Sequence, residues 1–164
     1  MSTPYYYNCK LDRVIDGDTI DVDIDLGFNV VLVKQRVRLA GIDTPESRTR
    51  DSMEKIFGKM ASAIVEKFLP LGSIQILQTV QDKAGKFGRV LGKFKIFDGE
   101  EDRETTINEW MIRNHYAVKY HGQSKKDIAD EHLKNYEHLV ENLGSQILTD
   151  TTEEQFRTYI NSRS

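Results

Sequence analysis

Residues 20–26 read Ile-Asp-Val-Asp-Ile-Asp-Leu, with apolar and acidic side chains in strict alternation. This period of two is typical of a β-strand that has one dry face and one wet face. Residues 26–29 have the composition of a turn, and residues 30–39 form a second β-rich run. The two runs therefore predict a β-hairpin. We expect a further strand over residues 36–40, continuing the second run past a bulge.

The next part of the chain has helical spacing. Apolar residues recur at helical spacing over residues 52–69, and Pro70 ends the pattern. Asp51 begins a capping box at the start of this helix. Gly58 weakens the first turns, so the regular part of the helix is expected to begin there.

Later segments add strands and helices. Strands are predicted over residues 73–80 and 90–97, and helices over residues 106–114, 124–143 and 151–160. Gly144 is expected to be the C-cap of the longest of these helices.

Length and element order indicate one domain. A chain of 164 residues is close to the size of one ordinary domain, and two independent cores would each be marginal. Because strands come first and helices are interleaved late, we predict an α+β fold around a small closed barrel of five strands with about three helices. The domain is expected to span residues 1–144, followed by a tail over residues 145–164 that can form one short helix.

Composition excludes several classes of protein. Apolar residues make up 38% of the chain and charged residues 30%, which excludes a mainly disordered chain. The longest uncharged apolar run, residues 30–33, is far shorter than the roughly 20 residues of a membrane-crossing helix. With a polar N-terminus, we expect a cytoplasmic monomer that has no signal peptide and no membrane partner. Cys9 is the only cysteine, so no internal disulfide or cysteine-based metal site can form.

Charge is distributed unevenly along the chain. The formal net charge of −3 argues against a protein that coats nucleic acid, because counterion release requires a basic excess. Residues 82–97 carry five cations and one anion, whereas residues 127–164 carry eight acidic and three basic residues. A basic middle segment therefore lies beside acidic flanks.

The first candidate for chemistry is the segment over residues 14–20. Asp18 shares the strand parity of Ile20 and Val22, so its carboxylate is expected to project from the core-facing side and to need a partner. Calcium prefers carboxylate and backbone carbonyl oxygens, and Asp18 with Asp43 and the Thr44 carbonyl could provide them. The alternative is a simple turn that contains a glycine.

The second candidate is the segment over residues 38–46. Arg38, Asp43 and Glu46 lie within nine residues, and Pro45 stiffens the backbone between the two acids. Such stiffening positions the charges in advance, although an ordinary surface salt bridge is the alternative. Arg89 follows a glycine-rich turn and adds another guanidinium, unless that turn is a plain hairpin loop.

The order and spacing of these segments resemble a known family. The chain contains Val-Ile-Asp-Gly-Asp-Thr over residues 14–19, Arg-x-x-x-x-Asp-Thr-Pro-Glu over residues 38–46, and Gly-Arg at residues 88–89 ahead of a strand. Together they resemble the staphylococcal nuclease (thermonuclease) family over residues 11–120. The resemblance implies a five-stranded barrel of OB type with three helices, and a calcium-dependent endonuclease that hydrolyses phosphodiester bonds of DNA and RNA.

The resemblance also assigns a metal site. Asp18 and Asp43 match the calcium-binding carboxylates of the family, and Thr44 matches a residue whose main-chain carbonyl is a ligand.

Catalytic roles are implied in the same way. Glu46 matches the proposed general base, and Arg38 and Arg89 match the two phosphate-binding arginines. In this family the bond on the 5′-oxygen side breaks, leaving a 3′-phosphate and a 5′-hydroxyl. These residue types suit the chemistry, because guanidinium groups and a divalent cation stabilise negative charge on a reacting phosphate while a carboxylate takes a proton from water.

Substrate contacts are implied at three further positions. Lys86 and Phe87 lie where family members often carry a lysine and a tyrosine that contact a terminal phosphate, but phenylalanine has no hydroxyl. Tyr120 lies near positions where related proteins stack bases, and a packed core tyrosine is the alternative. The implied partners are single-stranded DNA and RNA, with double-stranded DNA cut less well.

Other polar and aromatic residues have simpler explanations. Strand parity places Asp21, Asp23 and Asp25 on the wet face, away from the predicted metal site. Asp16 is expected to be structural or to lie outside the ligand set, and Trp110 to anchor the core. The four histidines show no ligand spacing, so we do not expect zinc.

Two other functions compete with the nuclease. One is a noncatalytic OB-type module that binds single strands or a protein, and the other is a structural calcium-binding protein. A binding module has no physical need for Glu46 beside two arginines and two carboxylates that repel each other without a cation. A structural calcium site does not explain Arg38 and Arg89, so we favour the nuclease.

Overall fold

The computed structural model describes residues 5–80, 90–99, 103–147 and 150–163. Within these residues the strands are β1 (Tyr6–Asp16), β2 (Thr19–Gly27), β3 (Val30–Leu39), β4 (Ile42–Asp43), β5 (Ile74–Val80), β6 (Val90–Asp98), β7 (Arg103–Thr106) and β8 (Val118–Lys119). The helices are α1 (Ser52–Phe68), α2 (Ile107–Arg113), α3 (Lys125–Ile147) and α4 (Asp150–Arg163). None of these helices is long and apolar enough to cross a lipid bilayer.

Five strands close into a barrel. The sheet order is β3-β2-β1-β5-β6, and β3 returns to pair in parallel with β6, where Val37 lies opposite Val90 and Leu39 opposite Gly92. β7 extends the sheet beyond β6. The prediction of an α+β fold with a five-stranded barrel of OB type is therefore confirmed, and the described residues form four helices instead of about three.

The identity of the barrel strands differs from the prediction in two places. β1 was not predicted, because register shifts between Leu11 and Arg13 and between Val14 and Asp16 interrupt its alternation. The separate strand over residues 36–40 was wrong, since β3 is continuous to Leu39. The expected bulge lies inside β3, where Lys34 has a φ of 51° and the pairing with β2 shifts register.

Two apolar clusters hold the helices to the barrel. The larger one fills the barrel and includes Phe94, Leu39 and Val65 of α1, all of them buried. The second lies between α1, α3 and α4, and consists of Met53, Phe57, Tyr136, Leu139 and Phe156. Burial of this apolar surface stabilises the packing of both late helices against α1.

Helix ends differ from the prediction at two glycines. α1 is helical from Ser52, because the Asp51 carboxylate accepts hydrogen bonds from the backbone N–H groups of Met53 and Glu54, so Gly58 does not mark its start. α3 continues through Gly144 to Ile147, so Gly144 is not its C-cap. α4 spans Asp150–Arg163 and is longer than the predicted tail helix.

Candidate active site

The strand ends of β2 and β3 bring the first two candidate residues together. Arg38 lies opposite Thr19 in the antiparallel pairing of β2 with β3. The backbone carbonyl of Asp18 accepts a hydrogen bond from the Leu39 N–H at 2.8 Å, which extends this pairing by one step. The barrel register therefore places Arg38 beside the carboxylate of Asp18.

Two short strands place the segment that follows. β4 pairs with β8, with Asp43 opposite Val118. The buried Asn108 side-chain amide donates to the backbone oxygens of Ala40 at 2.8 Å and of Gly92 at 3.2 Å. Loss of buried hydrogen bonds of this kind costs free energy. The two bonds of Asn108 therefore fix the position at which the chain leaves the barrel ahead of Asp43.

Arg38 joins the two candidate metal ligands. Its Nη1 lies 3.4 Å from Oδ2 of Asp18, and its Nη2 lies 3.6 Å from Oδ1 of Asp43. The Arg38 side chain is only 17% exposed, so these contacts are poorly screened by water. The two carboxylates, which are 25 positions apart in the sequence, therefore contact the same guanidinium.

The Asp18 carboxylate is held on both oxygens. Its Oδ2 accepts from the Thr44 backbone N–H at 3.1 Å, and its Oδ1 accepts from the Thr19 hydroxyl at 2.9 Å. Thr44 is buried, and its hydroxyl oxygen has no hydrogen-bond partner among the described residues. Asp18 and Thr44 are thus in direct contact, as a shared oxygen site requires.

These oxygens fit a hard divalent cation. Within the described residues no group of three or more Asp, Glu, His or Cys side chains could hold a metal ion. Calcium does not require such a group, because backbone carbonyls and water complete its coordination. If the Thr44 carbonyl joins the two carboxylates, as the sequence predicts, the donors are all oxygen atoms, which hard cations prefer. The buried Thr44 hydroxyl, which has no partner among the described residues, is a further oxygen of this residue.

Glu46 is an exposed residue of the loop that follows β4, and hydrogen bonds hold this loop in place. Its backbone N–H donates to Oε1 of Glu54 at 3.3 Å, and Ser47 donates from its N–H and hydroxyl to Oδ1 of Asp16. A β-carbon on Gly58 would lie 2.4 Å from the backbone oxygen of Glu46, so helix α1 can approach this loop only at a glycine. Gly58 is therefore a close-contact position that helps place Glu46.

Burial and neighbouring acids both raise the pKa of Glu46. Partial burial raises the pKa of its carboxyl group above the ordinary value, and like charges raise it further, those of Glu54, Asp16, Asp18 and Asp43. Repulsion of this kind is reduced when a cation binds among the acids. The raised pKa also makes the Glu46 carboxylate a stronger base than an isolated glutamate.

A cleft opens beside these residues. It has a volume of about 1030 Å³, and Asp43, Thr44 and Glu46 contribute to one side of it. Tyr120 also lines the cleft and is 46% exposed, which excludes the alternative of a packed core tyrosine.

Comparison with known proteins shows the family of this chain. The family model described as "Staphylococcal nuclease homologue" matches residues 36–143, more than half of the chain. This chain belongs to the staphylococcal nuclease family.

Two relatives of this nuclease-family chain come from Bacillus subtilis. Endonuclease YncB is 33% identical over 124 residues, covering 73% of this chain and 56% of the relative. The SPbeta prophage-derived endonuclease YokF is 33% identical over 121 residues, covering 71% of this chain and 38% of the relative. Thermonuclease of Staphylococcus intermedius is 39% identical over 79 residues, covering 48% of this chain and 43% of the relative. The chain thus spans less than two thirds of the length of these relatives.

Three of the predicted site residues of this staphylococcal nuclease homologue lie outside the described residues. These are the second arginine and two substrate contacts, Arg89, Lys86 and Phe87. The structure brings together the other candidates, Asp18, Arg38, Asp43, Thr44 and Glu46, and it places Tyr120 on the same cleft as Asp43 and Glu46.

The acidic run of β2 is arranged differently from the prediction. Asp21 has the parity of the wet face but is buried there, because Arg36 of β3 and Arg13 of β1 cover it from the neighbouring strands, at 3.0 and 3.6 Å. Asp23 and Asp25 accept backbone hydrogen bonds near the hairpin. Each of these three carboxylates therefore has its own partner on β1, β2 or β3, and these partners differ from those of Asp18.

His132 of α3 is a site residue that sequence reasoning missed. Its Nε2 lies 2.7 Å from Oδ2 of Asp43, and the residue is 8% exposed. A usable signal was present, since His132 lies four positions before the buried Tyr136 and so occupies the apolar stripe of α3. Ligand spacing among histidines did not identify His132, because its contact is with a candidate metal ligand, Asp43.

We expect His132→Leu to weaken calcium binding about 10-fold, because loss of a partner that orients a metal ligand typically has an effect of this size. His132→Gln can keep a donor near the Nε2 position and is expected to retain most of the affinity. Isothermal titration of calcium into each variant measures this. Equal affinities for the leucine variant and the parent protein would show that His132 does not orient Asp43.

Proposed function

We propose that this chain is a calcium-dependent nuclease that hydrolyses phosphodiester bonds of DNA and RNA. The observation that carries the proposal is the contact of one guanidinium, Arg38, with both Asp18 and Asp43, next to a cleft that Asp43 and Glu46 line. The names of the nuclease relatives support the same reaction class.

Glu46 is proposed as the general base. Its carboxylate is exposed toward the cleft and has a raised pKa, so it can accept a proton from a water molecule that attacks phosphorus. Such proton transfer typically contributes 10²- to 10⁴-fold to a rate. The bond from phosphorus to the 5′ oxygen then breaks, and the leaving oxygen takes a proton from solvent. The products are a 3′-phosphate and a 5′-hydroxyl.

Arg38 is proposed to stabilise the charge that develops on the phosphate oxygens. Its planar guanidinium can donate two parallel hydrogen bonds, and its low exposure strengthens them. Arg89 is proposed for the same role from the sequence resemblance.

Asp18, Asp43 and Thr44 are proposed to hold the calcium ion. When bound, the ion would neutralise charge on the substrate phosphate and on the acidic cluster. Without it, Arg38 is the cation that these two carboxylates contact in the described part of the chain. A monomer is proposed as the active form.

A cleavage assay tests this proposal. Purified protein is incubated with single-stranded DNA, RNA or double-stranded DNA, with millimolar calcium or with a chelator. We expect cleavage with calcium, most rapid on single strands, no cleavage with the chelator, and fragments that carry 3′-phosphate ends. Binding of single strands without any cleavage in calcium would contradict the nuclease and support the noncatalytic module.

A further inference from the structure

Helix α4 forms part of the wall of the cleft. Tyr159 and Arg163 line the same cleft as Asp43 and Glu46. The family model ends at residue 143, so the match does not include this helix. The side chains that α4 contributes are therefore an addition to the matched region.

Two contacts fix α4 against helix α1 and its N-cap. Phe156 is 6% exposed, and its ring centre lies 6.1 Å from that of Phe57 in α1. The Tyr159 hydroxyl donates to Oδ2 of Asp51 at 2.7 Å. Because Asp51 is also the N-cap of α1, Tyr159 is tied to the start of the helix that packs behind Glu46.

Arg163 is oriented by the tyrosine ring. Its guanidinium carbon lies 3.7 Å from the centre of the Tyr159 ring, a cation–π contact. Its Nη2 lies 3.4 Å from Oδ2 of Asp51, with 46% of the arginine side chain exposed. An exposed ion pair of this length stabilises the protein little, so a stronger anion can compete for the guanidinium.

The described charged side chains along the cleft are mainly acidic. The described acids along it are Asp43, Glu46, Asp51, Glu54 and Asp130, and the described cations are Lys125, Lys126 and Arg163. A nucleic-acid strand entering so acidic a cleft requires cations along its path. A guanidinium whose face rests on an aromatic ring still presents its edge to a phosphate.

We propose that Arg163, held by the ring of Tyr159, binds a backbone phosphate of the nucleic-acid strand beside the one that is cleaved. This inference rests on the proposed nuclease function. It assigns to α4 a phosphate-binding subsite and makes Tyr159 a positioning residue.

Binding of a fluorescein-labelled oligothymidylate tests the subsite. The parent protein carries Glu46→Gln, so that cutting in calcium is slow compared with the binding measurement, and fluorescence anisotropy is measured over a series of salt concentrations. Arg163→Gln is compared with Arg157→Gln, which removes the same charge from the same helix at an exposed position that does not line the cleft. We expect Arg163→Gln to weaken binding about fivefold near 0.1 M salt and to reduce the salt slope by about 0.7, the loss of one phosphate contact on a single strand.

A second pair of outcomes separates a phosphate contact from a structural role. Tyr159→Phe keeps the ring under Arg163 and removes only the bond to Asp51, so its affinity and salt slope are expected to remain near those of the parent. If Tyr159→Phe weakens binding as much as Arg163→Gln, or if Arg163→Gln and Arg157→Gln behave alike, the subsite is refuted. If the Glu46→Gln parent itself binds no oligothymidylate at any salt concentration, the proposed function fails together with the subsite.

Discussion

Glu46→Gln is expected to lower the turnover number about 10²-fold or more while calcium still binds. Glutamine has nearly the shape of glutamate but cannot accept the proton of the attacking water. Turnover is measured on single-stranded DNA at saturating calcium, and calcium affinity is measured by calorimetry on the same protein. The matched control is Glu66→Gln, an exposed position of α1 outside the cleft, which is expected to keep the parent turnover.

The turnover numbers of Glu46→Gln and Glu66→Gln together test the role of Glu46. Unchanged turnover in Glu46→Gln would remove Glu46 from the role of general base. An equal loss in Glu66→Gln would show that charge on α1, and not the Glu46 carboxylate, controls the rate.

Arg38→Ala is expected to lower kcat/KM about 10²- to 10³-fold, because one well-placed donor to a developing negative charge has an effect of this size. It is also expected to reduce the stability of the calcium-free protein, since two poorly exposed carboxylates lose the cation that they share. Calcium should then raise the Tm of Arg38→Ala by more than it raises the Tm of the parent. Thermal unfolding with calcium and with chelator measures this difference.

Arg36→Ala is the matched control for Arg38→Ala. Arg36 lies on the same strand, but its carboxylate partner is the buried Asp21 and not Asp18 or Asp43. We expect Arg36→Ala to lose stability without losing kcat/KM, and calcium to raise its Tm only by as much as it raises the Tm of the parent. Equal rescue of both variants by calcium would show that Arg38 does not lie between two metal ligands.

Much of the site was predictable because its residues are close in sequence to strand ends. The parity of residues 18–22 predicts an inward carboxylate at Asp18, and Asp43, Thr44 and Glu46 follow Arg38 within a few residues. In the structure Arg38 contacts both Asp18 and Asp43, while the roles of these residues stay predictions. Local sequence pattern is sufficient where the barrel register itself brings the residues together.

Other features depend on contacts between distant parts of the chain. His132 reaches Asp43 from 89 positions away, and no local pattern encodes that distance. Gly58 reads locally as a weak point of a helix, but its role is the close approach of α1 to Glu46. Asp21 has wet-face parity and is nevertheless buried, because arginines on both neighbouring strands cover it. Tertiary packing decided each of these cases against the local expectation.

A crystal structure of the Glu46→Gln protein grown with calcium tests the shared-ion site most directly. We expect one calcium ion in contact with the carboxylates of Asp18 and Asp43 and with the main-chain oxygen of Thr44, and Arg38 still beside both carboxylates. A calcium ion bound elsewhere, or carboxylates that contact Arg38 alone at saturating calcium, would contradict the site.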